Sequence, residues 1–118
     1  MINLNIETLS ALDEALERIT EYLNIFGLDG GVVFDSKLVS CELITNVLKH
    51  SHSGAKIRIE VGDDSVKIKV ENPNGFLPGF SSLCPDPTSE SGRGLYLINS
   101  LSEKVEATEE FICAFLKI

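Results

Sequence analysis

The sequence predicts a single α+β domain built from three helices and five strands. Apolar residues recur every three or four positions in residues 9–26 and 33–50, which is the spacing of helices with one buried face. Apolar and charged residues alternate in residues 56–61 and 66–71, which is the spacing of strands with one wet face. A chain of 118 residues can bury one core but not two, so we expect one domain over residues 1–118.

The composition indicates a folded globular protein and excludes several classes of partner. Its 43% hydrophobic and 24% charged residues are ordinary values for a globular protein. Its formal charge of −8 disfavours general attraction to phosphate backbones, so no nucleic acid partner is expected. No segment approaches the run of about 18 apolar residues of a membrane helix, so no membrane contact is expected. Three cysteines, Cys41, Cys84 and Cys113, lack CxxC spacing and predict free thiols in the cytoplasm.

The first two elements are a strand and a helix. Alternation in residues 2–6 predicts a short strand, which could lie at an edge of the sheet. The first helix is predicted over residues 9–26, with Thr8 or Ser10 as its N-cap and Gly27 as its C-cap. Its outer face is acidic, which fits either a solvated surface or contact with a basic partner. A turn is then expected over residues 28–31.

The second helix, predicted over residues 33–50, carries a polar stripe. Glu42, Asn46 and His50 recur every four residues and drift by only about 80° around a helix, so they share one face. We expect that face to line a groove at the edge of the core. The position of His50 at the helix end favours a role in complementing the negative end of the helix dipole over a role as a ligand-binding residue. The buried side of this helix is predicted to consist of Phe34, Leu38, Val39, Leu43, Val47 and Leu48.

The second half of the chain predicts two hairpins separated by a long loop. The charges of the first hairpin balance, which favours cross-strand pairing over a binding patch. Residues 72–91 contain all four prolines and lack periodicity, which predicts a loop. Gly92, Arg93 and Gly94 lead into a short helix beginning near Leu95. Two strands follow, over residues 105–109 and 111–118. The second is apolar on both sides, so one row should face the core and the other a loop or a second subunit.

The order of these elements and two motifs resemble the ATP-binding domain of histidine kinases, DNA gyrase and stand-alone bacterial anti-sigma serine/threonine kinases. The Glu-x-x-x-Asn-x-x-x-His motif is matched by Glu42, Asn46 and His50. The Gly-x-Gly-Leu motif is matched by Gly92, Gly94 and Leu95. The stand-alone kinases are the best match, because 118 residues leave no room for a phosphoacceptor helix pair. The resemblance implies a two-layer sandwich with helices on one face of a mixed, mostly antiparallel sheet.

The resemblance also implies roles for individual residues. Asn46 would bind Mg²⁺ through its carboxamide oxygen, and Glu42 would act as the catalytic base. Gly92 and Gly94 would let backbone N–H groups close on the phosphates of ATP, with Arg93 adding charge. The family's adenine-binding segment, Asp-x-Gly-x-Gly, is altered here. Asn72 stands in place of the aspartate, Asn74 replaces a glycine and Gly75 keeps the remaining turn, so Asn72 would be a neutral acceptor for the adenine amino group.

Two functions of different classes follow. The first is an ATP-binding anti-sigma-type regulator that binds a sigma factor and phosphorylates an antagonist protein, which retention of Glu42 and Asn46 favours. The second is a degenerate protein-interaction module of the same fold that is nucleotide-free or nucleotide-gated, which the altered adenine segment favours. The resemblance leaves a homodimer open in both cases.

Overall fold

Two helices pack on one face of a five-stranded sheet. The computed structural model describes residues 1–50, 54–71, 98, 100–107 and 111–118, with the backbone alone of Lys49, His50 and Ala107. The elements are β1 (Ile2–Ile6), α1 (Leu12–Ile25), α2 (Gly30–His50), β2 (Ala55–Val61), β3 (Ser65–Glu71), β4 (Lys104–Ala107) and β5 (Phe111–Lys117). The strand order is β1-β2-β3-β5-β4 and each of these pairings is antiparallel. The predicted two-layer α+β fold is confirmed, although the sheet is antiparallel throughout its described strands rather than mixed.

The start of α1 differs from the prediction, whereas its end agrees. A 3-10 turn over Leu9–Ala11 precedes the α-helix. Neither the Thr8 nor the Ser10 hydroxyl caps a backbone N–H group of the helix. Thr8 and Ser10 instead bond each other through their hydroxyls at 2.9 Å, so the predicted side-chain cap is wrong. At the other end Gly27 adopts φ +67 and donates its N–H to the Asn24 carbonyl. Glycine is favoured in that left-handed conformation because it has no Cβ to clash.

The second helix begins three residues earlier than predicted, because Asp29 caps it. The Asp29 carboxylate accepts a hydrogen bond from the Gly31 N–H at 3.0 Å, and the Asp29 carbonyl accepts one from the Val33 N–H. An aspartate in this position satisfies N–H groups that the first helical turn leaves without partners. The segment predicted as a turn therefore contains the helix start.

The buried face of α2 is rotated from the one predicted. Phe34 is 65% exposed, so its assignment to the buried side is wrong, and Leu38 and Leu48 are half-buried. Ser36 and Ser40 are fully buried instead, on the face that α2 turns toward the core. Small side chains allow two packed elements to approach closely, and α2 packs against both α1 and the sheet. The apolar residues of α2 that are buried are Val33, Val39, Leu43, Ile44 and Val47.

The sheet presents one apolar face to the helices. Ile59, Ile68 and Ile112 are fully buried on neighbouring strands and belong to the same core cluster as Leu43 and Val47 of α2. Burial of each such side chain stabilises the fold by roughly 1.5–3 kcal/mol relative to exposure. α2 packs across β2, β3 and β5, while α1 packs on β1, which lies at an edge of the sheet as predicted.

The last strand lies inside the sheet, between β3 and β4. Its Ile112, Ala114 and Leu116 face the core, and the alternate residues Phe111 and Phe115 are half-buried on the outer face. This agrees with the two-sided apolar pattern of the sequence.

The helix predicted after the glycine-rich motif is present at the residues described there. Ile98, Ser100 and Leu101 are helical, and Ile98 is buried in the common core. Within the described ranges, no helix is both long enough and apolar enough to cross a membrane.

Candidate functional site

The candidate site is the second half of α2, where two polar side chains stand next to the deepest part of the core. Leu43, Ile44 and Val47 are fully buried and fix how the helix is rotated against the sheet. That rotation leaves Glu42 half-buried and brings Asn46 to 7% exposure. Asn46 therefore lies deeper than expected for a stripe lining a groove, because its face of the helix turns partly toward the core.

The Asn46 carboxamide is the distinctive feature of this region. Its Nδ2 is buried and has no hydrogen-bond partner in the described part of the protein. Leaving a buried polar group unpaired costs about 1–3 kcal/mol, so such a group in a native fold requires an explanation. A ligand that pairs with the carboxamide is one such explanation.

Glu42 lies one helical turn before Asn46, on the same side of α2. Side chains four residues apart on a helix are neighbours, with Cβ atoms about 5–6 Å apart. A half-buried carboxylate there can reach solvent and can also face whatever occupies the space beside Asn46. The pair combines a proton acceptor with an amide oxygen suited to Mg²⁺.

The thiol next to Glu42 is not a candidate nucleophile. Burial raises the pKa of Cys41, with the Glu42 charge raising it further and a hydrogen bond with Thr45 opposing the shift. Because the thiolate is the reactive form, Cys41 stays an inert thiol near neutral pH. Cys113 is similar, since burial raises its pKa as well. Both are free cysteines, as predicted, and Cys84 lies outside the described residues.

The remaining predicted site residues lie outside the residues that the structure describes. These are Asn72, Gly75, Gly92, Arg93, Gly94 and Leu95, together with the side chain of His50. The structure does show that the helix following Gly94 reaches the same core as α2, because Ile98 is buried with Leu43 and Val47. Their predicted roles remain predictions.

The described residues fit a magnesium-bound nucleotide at Asn46. No group of three or more His, Cys, Asp or Glu side chains within the described ranges could hold a metal ion. A metal held by protein alone is therefore not supported there. Mg²⁺ that comes with a nucleotide is bound mainly by phosphates and water and needs few protein groups. The Asn46 carboxamide suits that requirement, because its Oδ1 is an oxygen of the kind that Mg²⁺ binds, while its Nδ2, which has no partner in the described residues, can donate to a phosphate oxygen.

Sequence reasoning missed the buried serines of α2. The Ser40 hydroxyl donates to the Ser36 carbonyl at 2.7 Å, whereas the Ser36 hydroxyl has no partner in the described region. The signal was available, because Ser36 and Ser40 continue the three- and four-residue spacing of Val33, Leu43 and Val47.

Comparison with known proteins gives two positive findings. Residues 7–113 match the family model described as the histidine kinase-like ATPase domain. A chain in the crystal structure of the SiaB–SiaC complex from Pseudomonas aeruginosa is similar in fold, with a TM-score of 0.71 and 15% sequence identity. The similarity covers 100% of this chain and 89% of that one. A comparison with curated protein sequences found no significant match.

Proposed function

The chain belongs to the histidine kinase-like ATPase domain family, and on that premise we propose that it binds ATP with Mg²⁺ and regulates a partner protein as an anti-sigma-type serine/threonine kinase. The observation that carries the proposal is the buried carboxamide of Asn46, whose Nδ2 has no partner in the described residues, one turn from the half-buried carboxylate of Glu42. The predicted resemblance at the level of the family is confirmed by the match over residues 7–113.

Binding is assigned to residues of α2 and of the glycine-rich segment. The Asn46 Oδ1 would hold Mg²⁺, and the Nδ2 that has no partner in the described residues would donate to a phosphate oxygen of the nucleotide. Gly92, Arg93, Gly94 and Leu95 would form the phosphate contact at a helix start, by analogy with the family motif. When bound, Mg·ATP supplies the phosphoryl group, and its Mg²⁺ neutralises charge on the phosphates.

Glu42 is assigned the role of general base. Its carboxylate would accept the proton of an attacking hydroxyl, and its partial exposure keeps it accessible to a protein substrate. The separation by one helical turn lets Asn46 and Glu42 act on the same bound group. Binding and proton transfer are thereby given to different side chains.

Asn72 and Gly75 are assigned to the adenine. The Asn72 carboxamide would accept a hydrogen bond from the adenine amino group, and Gly75 would keep the turn close to the base. A neutral acceptor forms a bond roughly half as strong as a charged one, so ATP is expected to bind weakly.

A protein partner is part of the proposal. The structural neighbour comes from a complex of two proteins, SiaB and SiaC, which supports a partner of comparable kind for this chain. An antagonist protein or a sigma factor in the cytoplasm would fill that role. A homodimer is compatible with it.

The second candidate is a protein-interaction module that no longer transfers phosphate. Asn72 in place of the family's aspartate favours it, because the substitution weakens recognition of adenine. The two candidates share the fold and the partner and differ in whether nucleotide is bound and used.

Equilibrium binding of a fluorescent ATP analogue tests the proposal. We expect weak, saturable binding that requires Mg²⁺ and disappears on adding a chelator. Incubation of the protein with labelled ATP and the small proteins encoded beside it should then label a serine or threonine in one of them. Binding without labelling would support the nucleotide-gated module, and no binding at all would support the nucleotide-free one.

A further inference from the structure

The outer face of the sheet carries most of the protein's positive charge. Six of the ten Lys and Arg residues alternate onto that face. Three carboxylates, Glu60, Glu71 and Glu106, accompany them along the described strands, and Asp63 and Asp64 lie in the turn between β2 and β3. The face therefore has a formal excess of positive charge in a protein whose formal charge is −8. The six are Lys56, Arg58, Lys67, Lys69, Lys104 and Lys117.

The balance of charge predicted for the first hairpin does not extend to the assembled face. β4 and β5 add Lys104 and Lys117 and contribute only Glu106 in return. Lys56 has a long ion pair with Glu71 at 4.0 Å, and Lys104 pairs with Glu106 at 2.7 Å. Arg58 bonds the neutral Asn3 side chain instead, through Nε at 2.9 Å.

Two lysines at the centre of this face are held over aromatic rings rather than paired with carboxylates. The Lys69 ammonium lies 4.3 Å from the centroid of the Phe111 ring, and the Lys67 ammonium lies 5.9 Å from that of Phe115. Both distances are within the range of cation–π attraction. Neither lysine has an ion pair in the described part of the chain. Lys67 is the cross-strand neighbour of Glu60, whereas Lys69 lies opposite Arg58 and Cys113.

The outer face of the sheet also contains a depression. It has a volume of about 300 Å³ and lies across β1, β2 and β3. The residues that line it include Asn3, Asn5, Lys56, Arg58, Lys69 and Glu71. Beside it, along β5, Phe111 and Phe115 form a half-buried apolar row, and Cys113 is fully buried between them. A basic depression next to an apolar row suits a partner that offers carboxylates and apolar side chains side by side.

We propose that the outer face of the sheet is a docking surface for an acidic amphipathic helix of a partner protein. A sheet packs readily against a helix, and no helix in the described ranges covers this face. The acidic helix layer lies on the other side of the sheet. Packed layers are about 10 Å apart and the Debye length is about 8 Å at physiological salt, so its charges are largely screened from this face.

Charge disfavours two other occupants. A second copy docking face to face would oppose two surfaces that each have an excess of positive charge. A nucleic acid would bring phosphates against Glu60, Glu71 and Glu106, which are interspersed among the lysines. The proposal rests on the proposed function only in requiring a protein partner, and it involves neither Asn46 nor Glu42.

Fluorescence anisotropy with a designed probe tests the docking surface. The probe is a labelled 18-residue helical peptide with leucines on one face and glutamates flanking them, and the control peptide has lysine in place of each glutamate. The protein should bind only the acidic peptide, with an affinity that falls as NaCl is raised. Lys67→Glu combined with Lys69→Glu should weaken binding by about tenfold or more.

A matched variant controls for net charge. Arg18→Glu combined with Lys37→Glu changes the charge equally on the exposed surface of α1 and α2, and it should leave peptide affinity within about threefold. Lys67→Gln with Lys69→Gln gives a milder version, and its retained circular dichroism melting curve shows that lost binding is not lost folding. Binding of the fluorescent ATP analogue should be unchanged in all three variants, so that failure of either proposal is seen separately.

Four results would overturn the docking proposal. Equal binding of the acidic and basic peptides, or equal weakening by both pairs of glutamate substitutions, would leave no role for this face. Tighter binding of a single-stranded 20-mer DNA, lost in the Lys67/Lys69 variant, would assign the face to nucleic acid. Self-association of the unmodified protein, lost in that variant with no peptide binding, would assign it to a second copy.

Discussion

Two of the polar side chains buried along α2, those of Ser40 and Asn46, differ in their hydrogen bonding. In the first half, Ser40 is fully buried and its hydroxyl donates to the Ser36 carbonyl at 2.7 Å. In the second half, Asn46 is buried to 7% exposure and its Nδ2 has no partner in the described part of the protein. The Ser40 hydroxyl is paired within the helix, although the Ser36 hydroxyl one turn earlier is also buried and has no partner in the described residues. The Asn46 Nδ2 also has no partner there, and Asn46 lies where the resemblance implies a metal ligand.

The proposed function assigns Ser40 to packing and Asn46 to ligand binding on the same helix. A hydroxyl that bonds back to the preceding turn lets a small residue lie against a neighbouring element at little cost. A carboxamide cannot close on its own helix in the same way, and leaving it unpaired costs stability.

Leu43→Ala should lower the free energy of unfolding by about 3 kcal/mol, because it removes a fully buried side chain between the two polar positions. Phe34→Ala on the same helix should change the free energy of unfolding by less than about 0.5 kcal/mol, because Phe34 is 65% exposed. Urea denaturation of both variants measures the difference. Equal losses would mean that α2 is rotated differently from the structure.

Glu42→Gln should lower phosphoryl transfer by about a hundredfold while ATP affinity stays within a few-fold. The carboxylate is the proposed base, whereas Asn46 is the proposed metal ligand, so removing the charge affects the chemical step alone. Single-turnover assays with a labelled acceptor measure the rate, and binding of the ATP analogue is the control. Parallel loss of rate and affinity would place Glu42 in binding instead.

The extent to which sequence predicted the structure follows the strength of the local signal. The alternation of Ile57, Ile59 and Val61 was sufficient to predict β2, and positive φ at Gly27 followed from its place after a helix. The start of α2 was missed because Gly30 and Gly31 resemble a turn, and only the Asp29 side chain reveals the cap. Local sequence does not contain the tertiary contacts that decide such cases.

The same reasoning explains which features of the candidate site could be predicted. The spacing of Glu42 and Asn46 predicted a shared face, which their separation by one turn of α2 confirms. The depth of Asn46 could not be predicted, because it depends on how Leu43 and Val47 seat the helix on the sheet. The rotation that exposes Phe34 has the same origin.

Asn72→Asp should strengthen Mg·ATP binding by about 1 kcal/mol, which is roughly fivefold, because a charged acceptor bonds the adenine amino group more strongly than a neutral one. Titration with ATP and with GTP measures this. The gain should be confined to ATP, since GTP lacks the amino group at that position of the base. An equal gain for both nucleotides would show a general charge effect instead.

Ser40→Ala should lower the free energy of unfolding by about 1 kcal/mol through loss of its hydrogen bond. Asn46→Ala without ligand should raise the same quantity by up to about 1 kcal/mol, because it removes an unpaired buried amide and places a better helix former in α2. Thermal melts of the two variants in the absence of nucleotide give the comparison. Destabilisation by Asn46→Ala larger than by Ser40→Ala would mean that Asn46 serves the fold.

Calorimetric titration of Mg·ATP into the unmodified protein, Asn46→Ala and Ser40→Ala tests the central claim that the unpaired amide of α2 is retained for a ligand. We expect measurable heat of binding for the unmodified protein, the same affinity within about threefold for Ser40→Ala, and no detectable binding for Asn46→Ala. Asn46→Ala binding Mg·ATP with the affinity of the unmodified protein would contradict the claim.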